Sequence, residues 1–392
     1  MHDTHSVMFI TKRPDIEMIS GKGSWLVDNN EKHYLDFMQG WAVNCLGHSN
    51  PGMIAALETQ ARKVINPSPA FYNAPMITLA DLLTQHSCFD KVFFANSGAE
   101  ANEGAIKLAR KWGKIHKNSA YEIITFDHSF HGRTIATMSA SGKPGWDTMF
   151  APQVAGFPKA DLNDLASVEK LINEKTVAVM LEPVQGEGGV IPATQEFMTA
   201  LRKLTIDKGI LLIVDEVQAG CGRTGKLFAH QLFGIEPDIM TLGKGIGGGV
   251  PLSALLCTDA VACFEPGDQG GTYNGNPLMC AVGASVIEQL TAPGFLEEVQ
   301  AKGEYLKQKL LLLSEKHHMD GERGEGLLRA LKLGRDIGPQ IVETARNNNP
   351  IGLLINSPRP NLLRFMPALN VSNEEIDQMI ELLDGFIAQA PK

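Results

Sequence analysis

The 392-residue chain lacks long hydrophobic runs and has no surplus of basic charge. Its longest apolar stretches, Gly209–Val214 and Leu310–Leu313, fall far short of the roughly 18 residues that a membrane-spanning helix needs. Residues 1–14 have neither the apolar core nor the cleavage site of an export signal. With 35 basic and 44 acidic residues the formal net charge is −9, whereas nucleic-acid-binding proteins usually carry a basic surplus. The sequence therefore predicts a cytoplasmic protein that binds neither membranes nor nucleic acids.

Cysteine is also scarce, and its arrangement excludes two further classes. The six cysteines include no C-x-x-C pair, and no His/Cys cluster has the spacing of zinc ligands. His128 and His131 lie in a segment that reads as a loop and has no accompanying carboxylate, so we reject a metal site there. A chain of this length buries enough surface to fold without disulfides. The sequence predicts free, buried thiols and no metal.

Glycine, in contrast, is abundant and follows short apolar runs. The 39 glycines cluster with polar residues directly after segments that are apolar throughout, which is typical of strands covered on both faces in a mainly parallel sheet. Helical patterns separate most of these segments, and open sheets of this kind bind ligands at the carboxyl ends of their strands. The predicted strands are Lys91–Ala95, Glu122–Phe126, Thr176–Leu181, Gly209–Val214, Asp238–Leu242 and Leu252–Cys257.

The two ends of the chain have a different pattern. After Pro293 come a long amphipathic helix over 296–314, several short strand-like pieces and a final helix over 373–390. The first predicted strands, over 24–27 and 33–36, have no helix between them. We therefore expect a large α/β domain over 50–285, and a smaller α+β domain formed by 1–49 together with 286–392.

Two charged residues lie where predicted strands end. Lys244 follows the fifth strand between two glycines; if burial lowers its pKa it can form a Schiff base, although taken alone the pattern favours a surface lysine in a flexible loop. Asp215 ends the fourth strand, where a carboxylate needs a partner. It either caps the next turn or pairs with a buried cation, such as the protonated ring nitrogen of pyridoxal phosphate.

Two other loops carry candidate binding residues. Ser97 begins a helix, either as an ordinary N-cap or as part of a phosphate site formed by the free amides of the helix N-terminus. In the loop after the second strand, Arg133 could bind a carboxylate and Phe130 could cover an aromatic ring. Taken alone, the pattern favours plain packing or a surface charge for these two residues.

Two glycine-rich strings resemble nucleotide-binding motifs but lack the required context. The G-x-G-x-x-G string over 243–248 is followed by a strand and not by a helix. The P-loop-like string over 220–226 has Leu227 in place of the Ser/Thr that would bind magnesium. A dinucleotide-binding oxidoreductase is therefore a disfavoured alternative, and a catalytically idle binding protein is another.

The order of motifs along the chain is more specific than any one of them. The chain resembles the class III (subgroup II) pyridoxal-phosphate-dependent aminotransferases, most closely the acetylornithine aminotransferases. The resemblance runs over nearly the whole length and rests chiefly on FFANSGAEANEGAIKLAR, SFHGRT, LEPVQGEGGV, LLIVDEVQAGCGRTGKLFA, PDIMTLGKGIGGGVPLSA and GGTYNGNPL. It implies fold type I with a seven-stranded, mainly parallel sheet and a homodimer with active sites at the interface.

The resemblance also implies a reaction. It is the ping-pong transfer of the δ-amino group of N2-acetyl-L-ornithine to 2-oxoglutarate, through a Lys-bound aldimine, giving N-acetyl-L-glutamate 5-semialdehyde and L-glutamate in arginine biosynthesis. Succinylornithine, ornithine, 4-aminobutyrate and N-succinyl-diaminopimelate remain alternative donors. No Tyr lies near Met8 and Phe9, where ornithine aminotransferases carry one, and this favours an α-N-acylated donor.

Residue roles follow from the same resemblance. Lys244 would bind the cofactor covalently and move the substrate proton, while Asp215 would pair with the pyridine nitrogen. Arg133 would bind the α-carboxylate of the substrate. The remaining cofactor contacts would be Ser97, Gly98 and Ala99 at the phosphate, Phe130 and Val217 on the two ring faces, Gln218 near the phenolic oxygen, and Thr272 at the phosphate of the neighbouring subunit.

The last implied feature is a pair that adapts the site to two substrates. Glu187 would pair with Arg364 while the donor is bound, and would release that arginine to the second carboxylate of 2-oxoglutarate; a fixed salt bridge is the alternative. Gly271, counted among the substrate-binding residues, stands where many relatives have Ser. Ala99 stands where many have Thr, and Asn274 replaces a frequent Gly.

Overall fold

The computed structural model describes residues 5–390. Its strands are β1 Met18–Lys22, β2 Trp25–Asp28, β3 His33–Asp36, β4 Lys91–Ala95, β5 Glu122–Phe126, β6 Lys159–Ala160, β7 Thr176–Leu181, β8 Val184–Gln185, β9 Ile191–Pro192, β10 Leu211–Asp215, β11 Ile239–Leu242, β12 Ser253–Cys257, β13 Glu322–Glu325, β14 Leu328–Lys332, β15 Ile351–Leu354, β16 Asn356–Arg359 and β17 Leu362–Phe365.

The α-helices, numbered in the same way, connect and cover these strands. They are α1 Gln39–Ala42, α2 Pro51–Ala61, α3 Ala74–Gln85, α4 Gly98–His116, α5 Ile135–Ala140, α6 Trp146–Met149, α7 Leu165–Leu171, α8 Gln195–Lys208, α9 Pro277–Leu290, α10 Phe295–Lys316, α11 Gly338–Asn347 and α12 Asn373–Gln389. Short 3-10 helices lie at Ala229–Leu232 and Lys244–Ile246.

The centre of the molecule is a seven-stranded sheet in the order β4-β12-β11-β10-β7-β5-β6. β12 runs antiparallel to both of its neighbours, and the other paired strands are parallel. Every residue of β7, β10 and β12 is buried, which explains why these strands are apolar throughout. The predicted α/β fold class is confirmed.

Two smaller sheets bring the chain ends together. β1, β2 and β3 form a meander to which β15 adds in parallel, with Leu353 opposite Leu35, and a second sheet has the order β13-β14-β17-β16. Glu375 on α12 accepts hydrogen bonds from Ser24 Oγ (2.9 Å) and Trp25 Nε1 (3.0 Å). These contacts join the N-terminal and C-terminal parts of the chain. The domain boundaries at 49/50 and 285/286 stay a prediction.

The helix that matters most for the site is α4. Ser97 and Glu100 form a capping box at its N-terminus, which stabilises the helix start, and its small side chains Ala101, Ala105 and Ala109 are fully buried. The capped end therefore lies at the edge of the sheet.

Within residues 5–390 no single helix is long and apolar enough to cross a membrane. Only α9 and α10 together, bent by 72°, meet the length and composition requirements.

Candidate active site

Three ionisable side chains follow three neighbouring parallel strands. Glu182 comes directly after β7, Asp215 ends β10 and Lys244 lies just beyond β11. β10 pairs in parallel with both β7 and β11, so the carboxyl ends of the three strands meet at one edge of the sheet. Residues separated by about 30 positions in sequence are thus brought together in a buried site.

Asp215 is held by three donors. Its Oδ2 accepts hydrogen bonds from Asn102 Nδ2 and His131 Nδ1, each at 2.8 Å, and its Oδ1 accepts one from the Val217 amide at 3.0 Å. The residue is only 3% exposed. Since a carboxylate can accept about four hydrogen bonds, Oδ1 keeps capacity for one more donor.

Asn102 connects the elements around this carboxylate. Its Nδ2 also donates to the carbonyl of His131 at 2.7 Å, and its Oδ1 accepts from Thr241 Oγ1 at 2.6 Å. The buried Nε2 of His131 finds no partner among the described residues. We assign a neutral His131 ring with its proton on Nδ1, because that form donates to Asp215 and leaves no N–H group unpaired.

Lys244 occupies a strained, half-buried position. Its φ is +45°, a left-handed conformation that a residue with a side chain adopts at a cost. Burial lowers the pKa of its amine, although the charges of Asp215 and Glu182 oppose this shift. A lysine with a lowered pKa supplies more neutral, nucleophilic amine at pH 7.

Gly98, Gly243 and Val217 pack closely together beside this lysine. A Cβ atom on Gly98 would lie 2.7 Å from Cγ1 of Val217, and one on Gly243 would lie 3.1 Å from the same atom, so a side chain at either position would require Val217 to shift. Within residues 5–390 the first two amides of α4, those of Gly98 and Ala99, have no acceptor. Free amides at a helix N-terminus bind anions such as phosphate.

Glu182 is a site residue that the sequence analysis missed. Its Oε1 accepts from the Phe130 amide at 2.9 Å and its Oε2 from the Gly186 amide at 3.3 Å. Burial, together with the nearby charge of Asp215, raises its pKa to about 8. Glu182 lies at the end of a buried strand, as Asp215 does. This position in the sequence could have identified it as a candidate. Asn102 gave no such signal, because it lies inside a helix.

Glu187 and Arg364 form an ion pair beside the site. Arg364 Nη2 lies 2.8 Å from Glu187 Oε1, and the arginine, which is fully buried, also donates to Asn356 Oδ1 at 2.7 Å and to Gln218 Oε1 at 3.4 Å. Burial would raise the pKa of Glu187, but Arg364 outweighs it and the pKa is lowered. The charged pair is the resting arrangement; whether it opens stays a prediction.

The remaining predicted residues lie in two places: Phe130 and Arg133 lie together, and Gly271 and Thr272 lie in a separate turn. Phe130 is half-buried, and exposed Arg133 extends over it, with the guanidinium carbon 5.9 Å from the Phe130 ring and 5.2 Å from that of Trp146. Gly271 and Thr272 lie in a turn before α9, where Thr272 is exposed. No group of three or more His, Cys, Asp or Glu residues able to hold a metal occurs within residues 5–390.

Known proteins match this chain over almost its whole length. The family model of class-III aminotransferases matches residues 11–387. The acetylornithine aminotransferase of Ralstonia nicotianae is 74% identical over 97% of both chains, and acetylornithine aminotransferase 2 of Bordetella bronchiseptica is 66% identical over 99% of this chain and 98% of its own.

Solved structures agree with this match. The N-acetylornithine aminotransferase of Stenotrophomonas maltophilia superimposes with a TM-score of 0.84 at 35% identity, over 96% of each chain. The ornithine aminotransferase of Toxoplasma gondii gives a TM-score of 0.92 at 31% identity, over 98% of this chain and 92% of its own. The second structure shows that an enzyme named for a different substrate has a closely similar fold.

Proposed function

The chain belongs to the class-III aminotransferases, and we propose that it transfers the δ-amino group of N2-acetyl-L-ornithine to 2-oxoglutarate, giving N-acetyl-L-glutamate 5-semialdehyde and L-glutamate. The observation that carries this proposal is the meeting of Lys244 and Asp215 at the ends of adjacent parallel strands, beside the Glu187–Arg364 pair. The 74% identity to an acetylornithine aminotransferase supports the choice of donor. We place the reaction in the cytoplasm and in arginine biosynthesis, as the sequence predicts.

The residues present fit pyridoxal phosphate, on which the family depends. The free amides of Gly98 and Ala99, next to Ser97, suit its phosphate, and the open lone pair of Asp215 suits its protonated ring nitrogen. Phe130 and Val217 would flank the ring, with Gln218 near its phenolic oxygen. When bound, the cofactor supplies an electron sink for charge that develops on the substrate carbon.

Lys244 has two tasks in this proposal. Its amine, which is more nucleophilic because burial lowers its pKa, would hold the cofactor. Its Nζ would take and return the proton of the carbon that carries the amino group. Asp215, which is fixed by Asn102 and His131, would supply the negative charge that favours a protonated ring nitrogen.

The Glu187–Arg364 pair lets one site accept two different substrates. Acetylornithine presents one carboxylate, which Arg133 would bind as a bidentate partner, whereas 2-oxoglutarate presents two. In the closed pair Glu187 neutralises Arg364 during the first half-reaction. When Glu187 moves away, Arg364 is free for the second carboxylate.

A homodimer completes the proposal. Thr272 and Tyr273 are exposed in the single chain, and large apolar side chains also lie in solvent, with Phe71 64% and Tyr72 87% exposed. Exposed apolar surface of this kind marks an interface. A second copy would cover it, and its Thr272 would then reach the neighbouring cofactor phosphate.

Two measurements test the proposal. The purified protein should carry a chromophore that borohydride bleaches and fixes to Lys244, which mass spectrometry of the peptide would show; retention of NAD(P) instead would favour an oxidoreductase. A panel of donors, scored by single-turnover amine transfer, should place acetylornithine ahead of succinylornithine, ornithine, 4-aminobutyrate and N-succinyl-diaminopimelate. Absence of any amine transfer would indicate an idle relative.

A further inference from the structure

The turn that carries Thr272 is exposed, and three hydrogen bonds attach it to separate parts of the chain. The donors are three asparagine amides: Asn66 Nδ2 donates to the Thr272 carbonyl at 3.2 Å, Asn73 Nδ2 to the Gly275 carbonyl at 2.9 Å, and Asn96 Nδ2 to Asn274 Oδ1 at 3.0 Å. The bond from Asn96 is the one that comes from the start of α4.

Asn96 contacts both this turn and the start of helix α4. It precedes Ser97, and its Nδ2 also donates to Glu100 Oε1 at 3.2 Å, while its own amide donates to Glu100 Oε2 at 3.0 Å. Glu100 in turn forms the capping box of α4 with Ser97. The capping box of α4 therefore connects the start of the helix, where the free amides of Gly98 and Ala99 lie, to Asn96. The side chain of Asn96 in turn holds Asn274.

The side chain of Asn274 fits because residue 271 is a glycine. A Cβ atom at Gly271 would lie 2.7 Å from both Nδ2 and Oδ1 of Asn274. A side chain at 271 would therefore displace the Asn274 amide from its present position. The same helix α4 also holds the segment before the turn, since Lys111 Nζ pairs with Glu265 at 3.0 Å and with Asp268.

We propose that the Asn96–Asn274 bond couples the two cofactor sites of the dimer, so that phosphate bound at one site strengthens binding at the other. This rests on the proposed function, in which Gly98 and Ala99 bind a subunit's own phosphate and Thr272 binds that of its partner. A phosphate bound to the amides of Gly98 and Ala99, in the first turn of α4, would restrict the motion of Asn96, and through the Asn96–Asn274 bond it would restrict the turn that completes the second site. Coupling between two sites acts equally in both directions.

The size of the effect follows from the single bond that carries it. A hydrogen bond contributes about 0.5–1.5 kcal/mol, which corresponds to roughly twofold to tenfold in an equilibrium constant. We therefore expect the second pyridoxal phosphate to bind about twofold to tenfold more tightly than the first, after correction for statistics. Asn96 and Asn274 act as positioning residues and touch no reacting atom.

The test is a titration of the apoprotein dimer with pyridoxal phosphate, analysed for the two stepwise dissociation constants. Asn274→Ala should bring their ratio to about one. Asn66→Ala is the matched control, because it removes a bond to the same turn at Thr272 and leaves the Asn96–Asn274 bond in place; it should weaken both steps and keep the ratio. In an Asn96→Ala background, Asn274→Ala should have no further effect on the ratio.

The outcomes separate this proposal from the function on which it rests. Equal stepwise constants in the unaltered protein, or an unchanged ratio in Asn274→Ala, would overturn the coupling alone. A protein that binds no pyridoxal phosphate, or whose holo form sediments as a monomer, would overturn the proposed function as well. Thermal unfolding of each apoprotein variant shows that the substituted chain is folded.

Discussion

Two consecutive carboxylates at the end of β10 accept the same number of hydrogen bonds but differ in the cation that each one faces. Asp215 and Glu216 are both buried, and each lies near the Nδ1 atom of a buried histidine, His131 at 2.8 Å and His230 at 2.9 Å. Each carboxylate also accepts two further hydrogen bonds from protein donors. The charge of Asp215 acts on Lys244, whereas that of Glu216 acts on His230.

The difference teaches that the neighbouring cation, and not burial or the number of hydrogen bonds, separates the proposed site residue from the structural one. Both carboxylates need partners because an unpaired buried charge is costly. Glu216 has its cationic partner in His230 and so stabilises the fold. Asp215 faces the edge where Lys244 lies, and its Oδ1 can accept a cationic donor from a ligand.

The largest effect should come from removing the lysine that faces Asp215. Lys244→Ala should lower turnover by about 10⁴-fold or more, because both covalent attachment and proton transfer are lost. The protein should stay folded and lack the borohydride-reducible chromophore. Steady-state assays and absorbance spectra measure this, and unchanged turnover would refute the role of Lys244.

Asp215→Asn should affect chemistry far more than folding. The amide cannot hold a ring nitrogen protonated, so we expect turnover to fall roughly 10²-fold to 10³-fold. The thermal midpoint of the apoprotein should change little by comparison. If activity survives while stability collapses, the contrast drawn between Asp215 and Glu216 is wrong.

Glu216→Gln should give the opposite result. Breaking a buried, hydrogen-bonded pair by removing the charge of one partner costs about 3–5 kcal/mol of unfolding free energy, here through the loss of the contact with His230. Activity per folded molecule should stay within a few-fold of the unaltered enzyme. Denaturant unfolding and active-site titration together measure the two quantities.

The Glu216–His230 pair should also make stability depend on pH. Burial lowers the pKa of His230, but Cys88 and Glu216 outweigh it and raise the pKa to about 9. Because the folded value lies above the unfolded one near 6.5, the stabilisation is complete below about pH 6.5 and is lost as pH rises to about 9. Unfolding free energies should fall by up to about 3 kcal/mol over this range, and His230→Gln should flatten the profile.

The smallest effect tests the ion pair beside the site. Glu187→Gln removes the charge that neutralises Arg364. We expect the acetylornithine half-reaction to slow by about tenfold and the 2-oxoglutarate half-reaction to change less. Single-turnover rates for each half-reaction decide this, and equal slowing of both would support a fixed salt bridge instead.

Much of the large sheet was predictable because its strands are buried on both faces. The six predicted strands agree with β4, β5, β7, β10, β11 and β12 to within two residues. The two-residue strand β6 carries no such signal, since Lys159 and Ala160 show no apolar run. A helix was expected to begin at Ser97, and Ser97 is the N-cap of α4, because its short polar side chain is of the type that favours this position.

The site was predictable only in part. Lys244 and Asp215 were detectable since each directly follows a buried strand, and in open α/β sheets ligands bind at such strand ends. Their partners were not detectable, because Asn102 lies on a helix and His131 in a loop, and their approach to Asp215 depends on which strands are neighbours. No local pattern records strand order.

By itself, the amino-acid sequence determined the fold class, the position of most strands and the places of Lys244 and Asp215 at strand ends, since apolar runs and the polar residues that end them are local properties. Tertiary structure alone decided which cation each of the two neighbouring carboxylates faces, that Glu182 joins two loops, and that the Asn274 side chain lies beside Gly271. These outcomes depend on distances between residues far apart in the chain, and a local pattern holds no information about such distances.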